Sequence, residues 1–395
     1  CPYYEQLQYE GDTRIQALIS YYNTGDDRLA RKAINDFYLG RVPSGLTQGR
    51  FPSNKLQVIP PYSLFWISML YDYWMHCPDA GFVSQYLDAA EGILKWYERH
   101  IDEQYGMLGS MKWWNFVDWN KAFPGGTPNG ATDGHSSVIT LQYAYTLKQA
   151  SKLFTDYGRD EKAKHYSELA ASLAKETYRH CFDKKRMEMA NMPMLKLRKE
   201  HQPIKKKFSQ HAGIMAILAG AIPENEEGKV MNKILNDTSL SQATFYFRFY
   251  LNRALIKTGN GNKYYAQLTP WRNMLQIGLT TFAEEPDPTR SDCHAWSASP
   301  NYDFLATICG IMPDAPGFQK VRIAPALGKL KEVTGSMPLP GRKSNEMIKV
   351  HIRRTDEHGG IKAEVTLPED IRGRFVWNGK DVELQGGTQE VMIGN

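Results

Sequence analysis

The chain has 395 residues, 42% hydrophobic and 23% charged, an ordinary globular balance with ample material for a large core. That length favours two or three domains. The 48 basic and 43 acidic residues leave a net charge of +5, too mild to argue for a nucleic-acid partner. No apolar run approaches the roughly 18 residues of a membrane span.

The chain opens on Cys1-Pro2, without Met or a signal peptide, and runs straight into an aromatic-rich segment. This favours a piece of a longer protein over a lipid-bearing N-terminus, which is usually followed by a polar tether. In CPYYEQLQYEGD, the residues Glu5, Tyr9 and Asp12 stand at i, i+4, i+7. If the segment is helical they share one face. The plainer reading is that Pro2 starts a helix whose positive end favours Glu5.

From Thr13 onwards the pattern is helical nearly throughout. Ile15, Leu18, Ile19 and Tyr22 follow helical spacing, as do Leu29, Ala33, Ile34 and Phe37. Further periodic segments cover residues 61–77, 81–100, 136–154, 162–181, 210–218, 229–235, 242–257, 263–277 and 302–311. About eleven helices joined by turns such as NTGDD and TGNGN suggest an array of α-hairpins. No repeat of 30–45 residues is visible, which favours a closed α/α toroid over an open solenoid.

Three stretches, residues 40–60, 105–134 and 282–300, are neither helix nor strand, and loops of such length are usually functional or disordered. Trp113, Trp114, Trp119, Phe123 and Trp296 argue against disorder. In KWWNFVDWNKAFPGG, Asp118 lies among aromatics, either to accept sugar hydroxyls or to cap a turn or helix. LTTFAEEPDPTRSDCHAW gathers Glu284, Glu285, Asp287, Asp292, His294 and Trp296. Such a cluster suits acid–base chemistry, a cation or a solvated loop. A cation is the weakest of the three, because no HExxH or EF-hand spacing appears. The lysine-rich residues 196–207 read as a solvated loop.

Beyond Ala315 the period changes to two: Val321 and Ile323, then Ile348, Val350 and Ile352, then Ile361, Ala363, Val365 and Leu367. Phe375 and Trp377 precede the hairpin turn Asn378-Gly379. The expectation is mainly α: an (α/α)6 six-hairpin barrel over residues 1–314, then a small C-terminal β-sandwich, an appendage, over residues 315–395. The five cysteines are scattered with no CxxC pair, which excludes a zinc ribbon or thioredoxin motif and argues against a disulfide framework.

Taken together, these segments resemble glycoside hydrolase family 78, the bacterial-type α-L-rhamnosidases. The match runs in order through Cys1, Pro2, Glu5 and Asp12, then IPPYSLFWI, FVDW, TTFAE and the stretch PGFQKVRIAPALGKLKEVTGSMPLPGR. Tyr4, Tyr9 and Ala283 stand where the family usually has Arg, Trp and Trp. The resemblance implies an inverting exo-glycosidase acting on a terminal α-L-rhamnoside, with no cofactor and no metal. It implies Glu5 as general acid and Glu284 as general base, with Glu285 the rival base. Inversion calls for carboxyls roughly 6.5–9.5 Å apart. Burial of Glu5 among Tyr3, Tyr9 and nearby tryptophans would hold its proton near neutrality. Asp12, Tyr9, Asp118 and His294 would bind the sugar, and Trp119 and Trp296 would wall the pocket. The resemblance further implies β-rich domains upstream in the full-length protein. A partner rhamnose-bearing polymer too large to import would place the enzyme in the periplasm or outside the cell; small imported rhamnosides would suit the cytoplasm. Other readings are a different (α/α)6 hydrolase, a polysaccharide lyase, or an inactive sugar-binding protein.

Overall fold

A computed structural model describes residues 4–198, 203–286, 288–343, 345–355 and 359–394. The expectations resting on Cys1, Pro2, Tyr3 and Asp287 therefore lie outside the described residues.

Among the described residues, helices carry the first part of the chain: α1 (Glu10–Asn23), α2 (Arg28–Leu39), α3 (Pro60–His76), α4 (Leu87–Glu98), α5 (Ser137–Asp156), α6 (Asp160–Cys181), α7 (Gln210–Ala219), α8 (Glu224–Asn236), α9 (Phe245–Lys257), α10 (Thr269–Gln276) and α11 (Pro300–Asp303), with other short helical segments such as Ala80–Ser84 between them. Their burial divides them into two rings. Helices α3 and α7 are apolar nearly all round and buried nearly all round, as expected of helices inside a protein. Helix α6 buries one stripe, through Ala163, Tyr166, Ala170, Leu173 and Ala174, as an outer helix should.

The inner ring closes on itself. Helix α1 packs on α3, α3 on α5, α5 on α7 and α7 on α9; the 3₁₀ turn Ala295–Ala298 touches both α9 and α1, and α11 returns to α1. The helix starts are locally encoded. Pro60 and Pro61 begin α3, Ser136 accepts from Ile139 N–H at the start of α5, and Ser209 accepts from Ala212 N–H at the start of α7.

The segments preceding the inner helices are tied to one another. Glu10 N–H donates to Gly49 C=O, Trp114 N–H to Val58 C=O, Ser137 N–H to Asn191 C=O and Gln210 N–H to Ser241 C=O. The long loops found in the sequence thus gather at the N-terminal end of the inner ring. Below them the centre is filled by aromatic rings, including Phe65 stacked on Tyr250 at 5.1 Å. Arg14 reaches Asp72 there at 2.8 Å, both side chains nearly out of solvent.

Three local readings change. Residues 4–8 are turns and coil: Gln6 adopts φ +49° and Tyr9 pairs as an isolated bridge with Arg50, so the helix begins only at Glu10. Glu5, Tyr9 and Asp12 therefore do not share a helix face. The lysine-rich stretch forms helical turns over Met194–Leu197 and Ile204–Lys207. Residues 302–311 leave the helix early. After α11 the chain passes through a π turn (Phe304–Ile308) to Gly310 at φ +76°, and strand β1 (Ile311–Pro313) follows. A Cβ on Gly310 would lie 2.2 Å from the Ala324 carbonyl carbon, so only glycine fits this crossing.

Apart from two short hairpins within the helical part (Ile101–Asp102 with Met107–Leu108, Phe182–Asp183 with Glu188–Met189), the later strands are β2 (Lys320–Ile323), β3 (Glu332–Pro338), β4 (Met347–Arg354), β5 (Ile361–Leu367), β6 (Arg372–Trp377), β7 (Lys380–Leu384) and β8 (Gly387–Ile393). They form two four-stranded sheets, ordered β7-β6-β2-β1 and β8-β5-β4-β3. Val321, Ile323 and Phe375 of one sheet and Ile348, Val350, Ile352, Val365 and Val391 of the other join a single buried cluster. That is the alternation of a β-sandwich with each sheet half-buried. No described helix is long and apolar enough to cross a membrane.

Candidate active site

Glu5 precedes α1, Asp12 sits in its first turn, and Glu284 and His294 come from the loop before α11. Nearly the whole helical part of the chain separates the two pairs, yet the ring closure brings them together. His294 is the hub. Its Nδ1 lies 4.0 Å from Glu5 Oε1 and 4.0 Å from Glu284 Oε2. Its Nε2 lies 3.0 Å from Asp12 Oδ1, although without the alignment of a hydrogen bond. The Ser291 hydroxyl donates to Glu5 Oε2 at 3.1 Å and stands 3.3 Å from His294 Nδ1.

Depth distinguishes the carboxylates. The Glu284 side chain is 4% exposed and that of Glu5 14%. Burial pushes the Glu284 carboxyl above its ordinary value; His294 and Arg290 pull it back, while Glu5 and Glu285 push it further up. The deeper burial expected of Glu5 thus falls on Glu284. Of the two rival glutamates, Glu284 faces His294 and Glu5, while Glu285 pairs through its backbone with Arg290.

The nearest ligand atoms of Glu5, Glu284 and His294 lie within 4.8 Å of one another. Two carboxylates and an imidazole also compose a cation site. His294 keeps 4.0 Å from both glutamates, and Arg290 flanks Glu284 at 3.3 Å.

The aromatic wall is built from behind. Trp296 is buried, packs 4.3 Å from the His294 ring and stacks on Tyr246 at 4.8 Å. Tyr246 and Tyr62 press on the start of α1 so closely that a Cβ on Gly11 would fall 2.5 Å from the Tyr246 hydroxyl. Gly11, between Glu10 and Asp12, lets α1 approach this wall.

Two expected sugar contacts are engaged elsewhere. Asp118 is completely buried, accepting from His211 Nε2 at 2.7 Å, from Thr244 N–H at 3.0 Å and from the Thr244 hydroxyl. It fastens the 113–126 loop to the starts of α7 and α9, which is the capping reading carried further, and its oxygens are not turned to a ligand. Tyr9 is half-buried, its hydroxyl accepting from Arg50 at 3.2 Å. Trp119 stands 40% exposed, backed by Trp114 and Phe116. The sequence reading missed Ser291, Arg290 and Tyr246. Tyr246 is hidden in FYFRFY, where five of six residues are aromatic, and nothing local marks which ring faces the site.

A closed ring of helical hairpins with paired carboxylates among the loops at one end defines a six-hairpin glycosidase. The chain belongs to the family of the bacterial α-L-rhamnosidase six-hairpin glycosidase domain, whose model matches residues 1–308. It is 25% identical over 314 residues to the α-L-rhamnosidase of Alteromonas sp. (strain LOR), covering 73% of this chain and 32% of that one. The chain thus spans about a third of that relative's length. Among solved structures it resembles the family 78 rhamnosidase of Bacillus sp. GL1, with TM-score 0.81, 25% identity and coverage of 95% of this chain and 39% of that one. The fold is shared with the Streptomyces avermitilis α-L-rhamnosidase solved with L-rhamnose, with TM-score 0.77, 16% identity and coverage of 99% and 38%.

Proposed function

We propose that this chain is the catalytic part of an exo-acting hydrolase that removes terminal α-L-rhamnose from a glycoside or oligosaccharide, using Glu5 as general acid and Glu284 as general base. The observation that carries this reading is the meeting of the two glutamates around His294. Depth supports the division of labour. In an exo-acting hydrolase the leaving group departs toward solvent and water attacks from the opposite face, so the acid belongs nearer solvent and the base deeper. Glu5 is the more exposed and Glu284 the more buried. Asp12, His294 and Trp296 would then hold the sugar ring.

Inversion, which the family resemblance implies, needs a water between the base and the sugar, whereas retention would pass through a covalent intermediate, and product stereochemistry decides. We expect β-L-rhamnose as the first product of 4-nitrophenyl α-L-rhamnopyranoside, seen by proton NMR before mutarotation; α-L-rhamnose would establish retention. Glu5→Gln and Glu284→Gln should each lower turnover about 10²–10⁴-fold. Near-normal turnover by either removes that residue from the mechanism. Action outside the cytoplasm and upstream β-rich domains are part of the same proposal. The upstream coding sequence tests both, since a signal peptide has a recognisable charged and apolar start.

A further inference from the structure

The loop that carries Glu284 turns back on itself. Glu284 N–H donates to Arg290 C=O at 3.0 Å, and Glu285 and Arg290 form an antiparallel bridge. That return carries the Arg290 side chain over the Glu284 carboxylate, with Nε 3.3 Å from Oε2. The same guanidinium lies 5.4 Å from the centre of the Tyr4 ring, the residue next to Glu5. Arg290 thus spans from the loop of one catalytic glutamate to the segment of the other.

An ordinary surface ion pair is worth little, because water screens both partners. This pair is lopsided: Arg290 is 55% exposed while Glu284 is 4% exposed. The Glu284 Oε2 atom facing Arg290 is buried and has no aligned hydrogen-bond donor. A desolvated carboxylate depends strongly on whatever charge remains beside it.

We propose that Arg290 is the positioning residue for Glu284, clamping its carboxylate from the point where the chain returns alongside Glu284 and Glu285. This rests on Glu284 being the base, as proposed above. A base must be ionised to accept a proton from water. The groups facing Glu284 are Arg290 and His294, which favour its ionised form, and Glu5 and Glu285, which oppose it. Removing Arg290 takes away one of the two favourable neighbours and leaves both unfavourable ones. The carboxylate then ionises at higher pH, and activity is lost from the acidic side.

The test measures kcat and KM against pH for hydrolysis of 4-nitrophenyl α-L-rhamnopyranoside by the whole protein and by Arg290→Met, Arg290→Lys and Glu284→Gln. For Arg290→Met the acidic limb of kcat/KM should move to higher pH. The loss should be about severalfold below the limb and smaller on the plateau. Arg290→Lys keeps the charge without the planar fork and should fall between; it carries the test alone if the Met variant does not fold. A uniform loss at all pH values, or a rise in KM with the limb unmoved, would make Arg290 a structural or substrate contact and overturn the proposal. An active Glu284→Gln variant would instead remove the base assignment on which the proposal stands.

Discussion

Asp118 shows what residue-level reading can and cannot do. Its aromatic neighbours are visible in the sequence, but the partners that decide its role are His211 and Thr244, far along the chain. Sugar contact and cap look alike locally because a carboxylate accepts hydrogen bonds in either role. Truncation separates them. Asp118→Ala would leave the half-buried Thr244 N–H and the buried His211 Nε2 without their partner, costing about 3 kcal/mol. The expected outcome is a melting temperature lower by roughly 5 °C or more, with KM for an aryl rhamnoside unchanged at low temperature. A tenfold rise in KM without loss of stability would return Asp118 to the sugar. Glu5 and Glu284 were legible for the opposite reason: each lies in a motif that carries the family resemblance. The residues that touch them, Arg290 and Ser291, belong to loop geometry that no short pattern encodes.

At the scale of the element, the start of α1 is set by contacts outside the helix. Its periodicity was plain from Ile15 onwards, but its first residue was misplaced because loop pairing with Arg50 holds Tyr9 extended. One consequence is Glu10, completely buried and supported by the Thr47 hydroxyl at 2.9 Å, with its other oxygen unpaired. Burial pushes this carboxyl well above its ordinary value. The folded state therefore holds a proton that the unfolded chain releases near pH 4.3. The stability linked to that proton is fully present below the unfolded value and is lost as pH rises through the folded one. Glu10→Gln resembles the protonated form at every pH. Urea denaturation should find the variant close to the wild type at pH 4 and more stable than it at pH 8. Equal stability at both pH values would mean that Glu10 ionises in place.

At the scale of the whole molecule, the two-part organisation was legible because the apolar period switches from helical to alternating within a few residues. The weight of the second part was not. A β-sandwich read from the sequence as an appendage is continuous with the barrel: residues of both lie in one buried cluster. The joint is specific. Tyr22 of α1 donates its hydroxyl to Ile311 C=O at 2.9 Å, and Phe318, just before β2, packs edge-on against the rings of Tyr22 and His76. Tyr22 lies on the same helix as Asp12, so the sandwich braces the helix that presents part of the site. Phe318 is almost wholly buried, and its truncation to Ala should cost about 3–5 kcal/mol. Because the damaged contact is shared, scanning calorimetry of Phe318→Ala should show one transition moved to lower temperature. Two separate transitions, with the barrel melting as in the wild type, would restore the appendage reading. If the brace matters to the site, the same variant should lose activity on warming before the wild type does, in step with its shifted melting curve.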